Sequence, residues 1–294
     1  METRLPLSLR LAARGLDGVT LLVLPAALML VALFIYPFGY GLWLSFQPKD
    51  GSLLGNYLKF FSDAFLYNTI GTTLALALPV TLINVFTAVP VAFRVRKMKN
   101  QRVLTTILVV PITLGTVLVA EGMLNYFGPQ GWFIRALVSF GWFSPGEIRL
   151  VHNYWGVFLS LVITGFPFTF LLTLSYVSGI DPALEQAAAT LGARAAARFR
   201  HIFLPLLMPG LAITFCLAFV QAYSVFPSAV LLGAPAGPTR VISIAAYQAA
   251  FEQYDYPLAS AIAMIMGAVQ LVFVIAVLAS RRLFYRGPAA GGKG

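Results

Sequence analysis

Inside the long apolar stretches of this 294-residue chain, Glu121 is the strong candidate for a side chain that could meet a cation. If its stretch begins at Val103 and rises outward, Glu121 lies about 27 Å up at 1.5 Å per residue, near the outer edge of a roughly 30 Å hydrocarbon core. Gln221 and Tyr223, counted from Leu206 in another stretch, reach about 22 to 26 Å by the same rise. A carboxylate, an amide acceptor and an aromatic face at one level could hold an amine. Asn84, nearer the inner side of a third stretch, is a candidate next contact. The same depth suits a Glu121 that only reaches interfacial water, and the sequence leaves both readings open.

Other chemistries find little material. His152 and His201 fall on opposite sides of the membrane in the topology derived below, so they cannot share a metal and read as interface residues. Cys216, the single cysteine, lies in an apolar run and reads as a small buried hydrophobe. The tail "GPAAGGKG", Gly287 to Gly294, satisfies G-x-x-x-x-G-K, but Gly294 stands where Ser or Thr must bind magnesium, and no strand precedes it. Neither a nucleotide site nor a metal site is expected in this chain.

The elements that must carry these residues follow from composition. The chain is 59% hydrophobic and 10% charged, far from the roughly 25% charged of a soluble domain, which places it in a membrane. Six stretches have the approximately 20 apolar residues a span needs, at about 19–46, 70–93, 103–124, 151–177, 206–232 and 257–280. The first is too long for a signal-peptide core and lacks a clear cleavage site, so it is read as a retained helix. Lys and Arg divide unevenly between the two sides. Fifteen fall on one side (Arg4, Arg10, Arg14; Arg94, Arg96, Lys97, Lys99, Arg102; Arg194, Arg198, Arg200; Arg281, Arg282, Arg286, Lys293). The other side holds five (Lys49, Lys59, Arg135, Arg149, Arg240). This bias assigns both termini to the cytoplasm and accounts for the net charge of +10 without a nucleic-acid partner. Trp132, Trp142 and Tyr154 then fall in outer loops as headgroup anchors.

Prolines recur in the spans (Pro25, Pro37, Pro79, Pro90, Pro111, Pro167, Pro227), either as breaks around a path or as ordinary kinks in a bundle. In the last span Ala259, Ala263 and Gly267 form a small-residue face that lets another helix approach.

One segment departs from the oil. In "DPALEQAAATLGARAAARFRHIFLPLLMPG", Asp181 to Gly210, Asp181 is a side-chain acceptor at an N-cap and Pro182 occupies the first helical position. Leu184 stands where a capping-box Glu would be. Leu184, Ala187, Ala188 and Leu191 make one apolar stripe, and Gly192 fits the helix end. A second short helix is expected from about Arg194 to Phe203, with Pro205 marking re-entry to the membrane. An alanine-covered helix suits another protein's groove, with Arg194 and Arg198 as charge at the rim. An amphipathic helix lying on anionic lipid is the competing reading.

The pattern Glu185, Ala188, Leu191-Gly192-Ala193, Ile202, Leu204-Pro205, Pro209-Gly210 resembles the EAA loop of binding-protein-dependent ABC importer permeases, E-A-A-x-x-x-G-A followed by I-x-L-P-x-x-x-P. Gln186 and Thr190 depart from it, occupying positions that are often charged in relatives. "LPAALMLVALFIYPFGYGLWLSF", "GNYLKFF" and "YPLASAIAMIM" are similar to permeases of the spermidine/putrescine-type subgroup, so the resemblance spans nearly the whole chain. It implies an all-α membrane protein with the six-helix type I importer permease fold in a bacterial inner membrane. It further implies a second permease subunit, an external solute-binding protein and two cytoplasmic ATPases that hold the ATP and magnesium. By position, Glu185, Ala188, Gly192 and Ala193 would form the docking core of the ATPase-coupling helix. The subgroup implies a polyamine-type cargo, with Glu121, Gln221, Tyr223 and Asn84 along its path. Another cargo (organophosphonate, iron, sugar) and an ion-coupled secondary carrier are the alternatives; the latter is thin, because such carriers need intramembrane ionisable groups.

Overall fold

The computed structural model describes residues 18–49, 51–141 and 150–284. Arg4, Arg10, Arg14, Trp142, Arg149, Arg286, Lys293 and the Gly287–Gly294 tail lie outside these. Among the described residues, six helical segments are long and apolar enough to cross a membrane: Leu22–Ser45, Ala64–Arg96, Gln101–Ser139, Tyr154–Ser178, Ala195–Tyr223 and Tyr256–Ser280. Among the described residues there is no strand.

In chain order the α-helices among the described residues are α1 (Gly18–Leu30), α2 (Tyr36–Ser45), α3 (Gly55–Ser62), α4 (Ala64–Arg96), α5 (Gln101–Phe127), α6 (Trp132–Ser139), α7 (Tyr154–Ser178), α8 (Pro182–Thr190), α9 (Ala195–Arg198), α10 (Leu204–Tyr223), α11 (Pro227–Leu232), α12 (Ile242–Tyr247) and α13 (Tyr256–Phe284). A π-turn over Val31–Ile35 joins α1 to α2 as one span.

Local chemistry explains the boundaries. Asp63 caps α4 by accepting from the Phe65 N–H at 2.8 Å, so this helix begins six residues before the apolar stretch. Its 33 residues amount to about 50 Å and outrun the hydrocarbon on both sides. Asn153 caps α7 through the Gly156 N–H. Pro79 deprives the Ala75 carbonyl of its helical donor, and the Tyr154 hydroxyl donates to that carbonyl at 2.8 Å instead. Tyr154, expected in an outer loop, thus opens α7 and repairs a neighbouring helix.

Three expectations change. The fifth span is not one helix to Leu232: α10 ends at Tyr223, Ser224–Phe226 leave the helix, and Pro227 starts α11. A residue without an N–H fits the first position of a new helix better than the interior of an old one. Pro205 does not mark a boundary either. The helix runs from α9 through a π-turn, Phe199–Phe203, into α10, with the Leu204 N–H on the Phe199 carbonyl; the wider turn carries the chain past the proline. In the third span the break comes at Gly115 (φ 73°, ψ 163°) and not at Pro111.

Helices α4 and α7 pack along one another, and α10 lies across both. The largest core cluster joins α3, α4, α7, α10, α11, α12 and α13 around Phe60, Leu76, Phe219, Tyr223 and Ile262. A second, including Ala88, Phe170, Val177 and Phe203, sits where α4, α7 and the start of the fifth span converge. Along the first span, residues 22–40 are exposed, while α2 packs on α13 with Gly41 close to Met264. Of the small-residue face, Ala259 is buried and Ala263 and Gly267 remain exposed.

Candidate functional site

The segment from Asp181 to Phe203 is a helix, a left-handed turn and a second helix. Asp181 Oδ1 accepts from the Ala183 N–H at 2.8 Å and opens α8. At the other end the Ala193 N–H reaches the Ala188 carbonyl and the Gly192 N–H the Ala189 carbonyl, both at 3.0 Å. These two bonds are the Schellman closure, and they require Gly192 at φ +80°. Leu184 and Leu191 are 45% and 88% exposed, so the outer side of α8 presents apolar surface with nothing covering it among the described residues. Arg194 is exposed at the start of α9, and Arg198 is half-buried.

Glu185 faces the other way. Its Oε1 accepts from Lys97 Nζ at 2.5 Å, and the Lys97 ammonium holds its carboxyl below the usual carboxylate range against the opposing effect of partial burial. The carboxylate therefore ties α8 to the end of α4 within this chain. One residue earlier, Arg96 donates to the Val177 carbonyl at 3.1 Å and the Ile180 carbonyl at 3.2 Å. It binds a last-turn carbonyl of α7 and one just past the helix end, where a cation is favoured, and it lies over the Phe203 ring at 5.5 Å. The ends of α4 and α7, the loop, and the start of the fifth span are thus one connected unit. Lys97 and Arg96 entered the sequence reading only as topology charges, because their partners are over 80 residues away.

Within the membrane, a cavity of about 280 Å³ opens between α4, α7, α10 and the Ser224–Phe226 break. Its polar wall comprises Asn84, Thr116, Thr164, Gln221, Ser224 and Ser228. Thr116 follows the Gly115 break, so two interrupted helices border it, as is usual where backbone at membrane depth lines a cavity. Asn84 is 2% exposed; its Nδ2 makes a long 3.5 Å bond to the Leu161 carbonyl, and its Oδ1 has no partner among the described residues. Gly165 permits this, since a Cβ there would lie 2.6 Å from Asn84 Nδ2. Ser160 and Ser228 share a hydroxyl bond of 2.8 Å, and Gln270 Nε2 donates to Ser224 Oγ at 2.8 Å.

The four path residues do not converge. Asn84 and Gln221 line the cavity, while Glu121 and Tyr223 do not. Glu121 is exposed on α5, and among the described residues its Oε1 accepts only from Asn125, one turn on. Tyr223 is fully buried against Phe219, 5.5 Å between ring centroids, in the main core. Equal depth along two helices fixed the level of these groups but not their azimuth. Thr164, Ser224 and Ser228, which do line the cavity, gave no signal in sequence because isolated hydroxyls are ordinary in apolar helices. Cys216 is buried. His152 precedes α7 and His201 lies in the π-turn that enters α10, at opposite ends of the bundle.

Residues 51–287 match the family described as the binding-protein-dependent transport system inner membrane component. The chain belongs to this family. It is an inner-membrane, multi-pass permease, 28% identical to the trehalose transport system permease protein SugA of Mycobacterium tuberculosis over 90% of this chain and 89% of that one. The spermidine/putrescine permease PotB of Haemophilus influenzae is 29% identical over 65% of this chain and 69% of its own. A bacterial alginate ABC transporter, solved with its pentasaccharide-bound periplasmic protein, has the same fold: TM-score 0.76 over 96% of this permease and 99% of that chain, at 21% identity. The ABC importer resemblance is therefore upheld, and the narrower polyamine subgroup receives less support than sugar permeases do.

Proposed function

We propose that this permease forms half of the translocation path of an ATP-driven importer whose cargo is a neutral, hydroxyl-rich solute of the sugar class. The observation that carries the cargo is the cavity wall. Asn84, Thr164, Gln221, Ser224 and Ser228 offer amides and hydroxyls, which exchange hydrogen bonds with sugar hydroxyls, and no carboxylate is among its lining residues to pair with an amine. The polyamine expectation leaned on Glu121, which lines none of that wall. The trehalose permease among the relatives points the same way.

The partners proposed are a second permease subunit, a solute-binding protein on the side away from the loop, and two ATPases that bind ATP and magnesium. Leu184 and Leu191 of α8 supply the apolar contact with an ATPase, with Gly192 and Ala193 fixing the turn and Arg194 at the rim. ATP-driven closure moves α8, and Lys97 and Arg96 pass that movement to α4 and α7, whose other halves border the cavity. Tightly packed interfaces of this kind switch between arrangements and do not bend continuously. The loop side is taken as cytoplasmic; Ala195→Cys in a Cys216→Ala background should resist impermeant thiol reagents in intact cells and react in inverted vesicles.

The deciding experiment is uptake by the reconstituted importer of labelled trehalose, maltose, putrescine and sulfate. Disaccharide uptake should dominate, and Asn84→Leu should reduce it roughly fivefold or more, since one buried polar partner lost is worth about 1–3 kcal/mol. Transport of putrescine or sulfate alone would overturn the cargo.

A further inference from the structure

Two cavities on the loop side share a wall. The first, about 450 Å³, lies beneath the Glu185 side of α8 and carries Arg94, Lys97, Glu185 and Arg198 beside the Phe93, Phe199 and Phe203 rings. The second, about 580 Å³, is an apolar groove between α4, α10 and α13 that includes Leu82, Phe86, Met208, Leu211 and Phe215. Val89, Pro90 and Phe199 line both. The pair therefore makes one site, basic at its mouth and apolar along its length.

The charges at the mouth do not cancel. Glu185 is committed to Lys97, which leaves two guanidinium groups, Arg94 and Arg198, without an ion-pair partner among the described residues. Arg198 Nε is shielded from solvent and makes no hydrogen bond there. A buried donor left unpaired is costly unless something absent from the protein chain accepts from it. From Arg94 to Leu82 the groove follows α4 for about 18 Å, against about 15 Å for the hydrocarbon of one leaflet. An ATPase docking on the apolar Leu184–Leu191 face would reach the opposite side of α8, so it does not account for this cleft.

We propose that this cleft binds one anionic phospholipid of the loop-side leaflet, its phosphate between Arg94 and Arg198 and one acyl chain in the groove. Basic pockets between spanning helices on that side suit acidic headgroups, and guanidinium pairs with phosphate oxygens through parallel N–H donors. Because Arg198 lies in the loop and Arg94 at the end of α4, the lipid bridges the two elements that the Lys97–Glu185 pair also joins. The proposal needs only a chain inserted in a membrane and does not depend on the identity of the cargo.

The test is native mass spectrometry of the full-length chain with phosphatidylglycerol and phosphatidylcholine of identical acyl chains, and with inorganic phosphate as competitor. The wild type should retain one phosphatidylglycerol at least fivefold over phosphatidylcholine, with millimolar phosphate unable to displace it. Arg94→Gln with Arg198→Gln should reduce that retention at least fivefold. Lys99→Gln with Arg102→Gln, which removes equal charge outside the cleft, should leave it unchanged. Met208→Trp, which fills the groove, should also reduce retention while the basic mouth is intact. Equal retention of the two lipids, equal effects of the two double variants, displacement by phosphate, or indifference to Met208→Trp would each overturn the site. So would a chain that retains no phosphatidylglycerol yet loses capture of its ATPase when Arg94 and Arg198 are substituted, since the cleft would then be a protein contact.

Discussion

At the loop end of this permease, Arg96, Lys97 and Glu185 join elements far apart in sequence through charge-assisted bonds. In the membrane cavity, Asn84, Thr164, Gln221 and Ser228 meet from four helices without one ionised group among them. The difference follows from solvent. Lys97 is more than half exposed, so its charge stays hydrated and is cheap to keep. At membrane depth an ion would carry a desolvation cost that few neighbours could offset. There the chain uses hydroxyls that bond back one turn, Thr73 to Thr69, Thr81 to Ala77, Thr164 to Ser160 and Thr173 to Thr169. Each remains satisfied whether or not a solute is present. The loop end is therefore built to hold a fixed geometry, and the cavity is built to exchange partners.

The strongest way to break that contrast is Gly192→Val. A Cβ at Gly192 would meet nothing within 4 Å, so the cost is backbone strain alone, about 1–2 kcal/mol at φ +80°. That is enough to weaken the closure on Ala188 and Ala189 and misdirect α9. Uptake should fall at least tenfold while membrane abundance stays normal, and Gly192→Asn should recover most of it, because Asn tolerates the left-handed region. Full uptake by the valine variant would mean that the turn does not set the loop.

Next in size is Arg96→Met set against Thr173→Val. The arginine joins α4 to α7, whereas the Thr173 hydroxyl only bonds its own helix. Hydrogen bonds from a charged donor are worth about 1.5–3 kcal/mol. The melting midpoint of the purified permease should drop by roughly 5 °C for Arg96→Met and by about 1 °C for Thr173→Val. Equal shifts would remove the distinction between ties across elements and ties within them.

The same contrast decides what could be read from sequence. The six spans, the Asp181 cap, the Gly192 turn and the family were legible because each depends on residues within a few turns of one another. The Glu185 carboxylate was placed on the right helix, but its partner Lys97, 88 residues away, carries no local mark. The cavity was half legible: depth along a helix follows from counting, so Asn84 and Gln221 were reachable. Direction around the helix did not, which is why Tyr223 went to the path when packing sends it into the core. The Ser224–Phe226 break was hidden in an apolar run that hydropathy cannot divide.

A smaller effect tests the Lys97–Glu185 tie. The folded carboxyl titrates below its usual range, first because Lys97 donates to it. A depressed folded value means the tie is fully present above the unfolded carboxylate pKa, about 4.3, and is lost as pH falls through the lower folded value. With Lys97 more than half exposed, the pair contributes less than about 1 kcal/mol. Backbone hydrogen exchange in α8 should therefore quicken only modestly on acidification below that range, and 1 M salt should reproduce part of the change at neutral pH. Glu185→Gln should exchange at the faster rate throughout. If its α8 shows wild-type protection at neutral pH, the pair is incidental.

The smallest effect expected is at Glu121, the residue that looked most functional in sequence. Its side chain is exposed on α5 and accepts a hydrogen bond from Asn125, whereas the Asn84 amide oxygen is buried in the cavity wall and unpartnered among the described residues. If the path is neutral and hydroxyl-lined, Glu121→Gln should alter disaccharide uptake by less than twofold, while Asn84→Leu reduces it roughly fivefold or more. The two variants differ sharply in what they remove: a carboxylate with free access to its surroundings, or an amide enclosed in the cavity wall. An exposed group can be replaced by water or headgroups at little cost, while an enclosed one has no substitute. Measured side by side in one reconstituted importer, a large loss in Glu121→Gln with Asn84→Leu unaffected would invert the assignment and return an amine to the path.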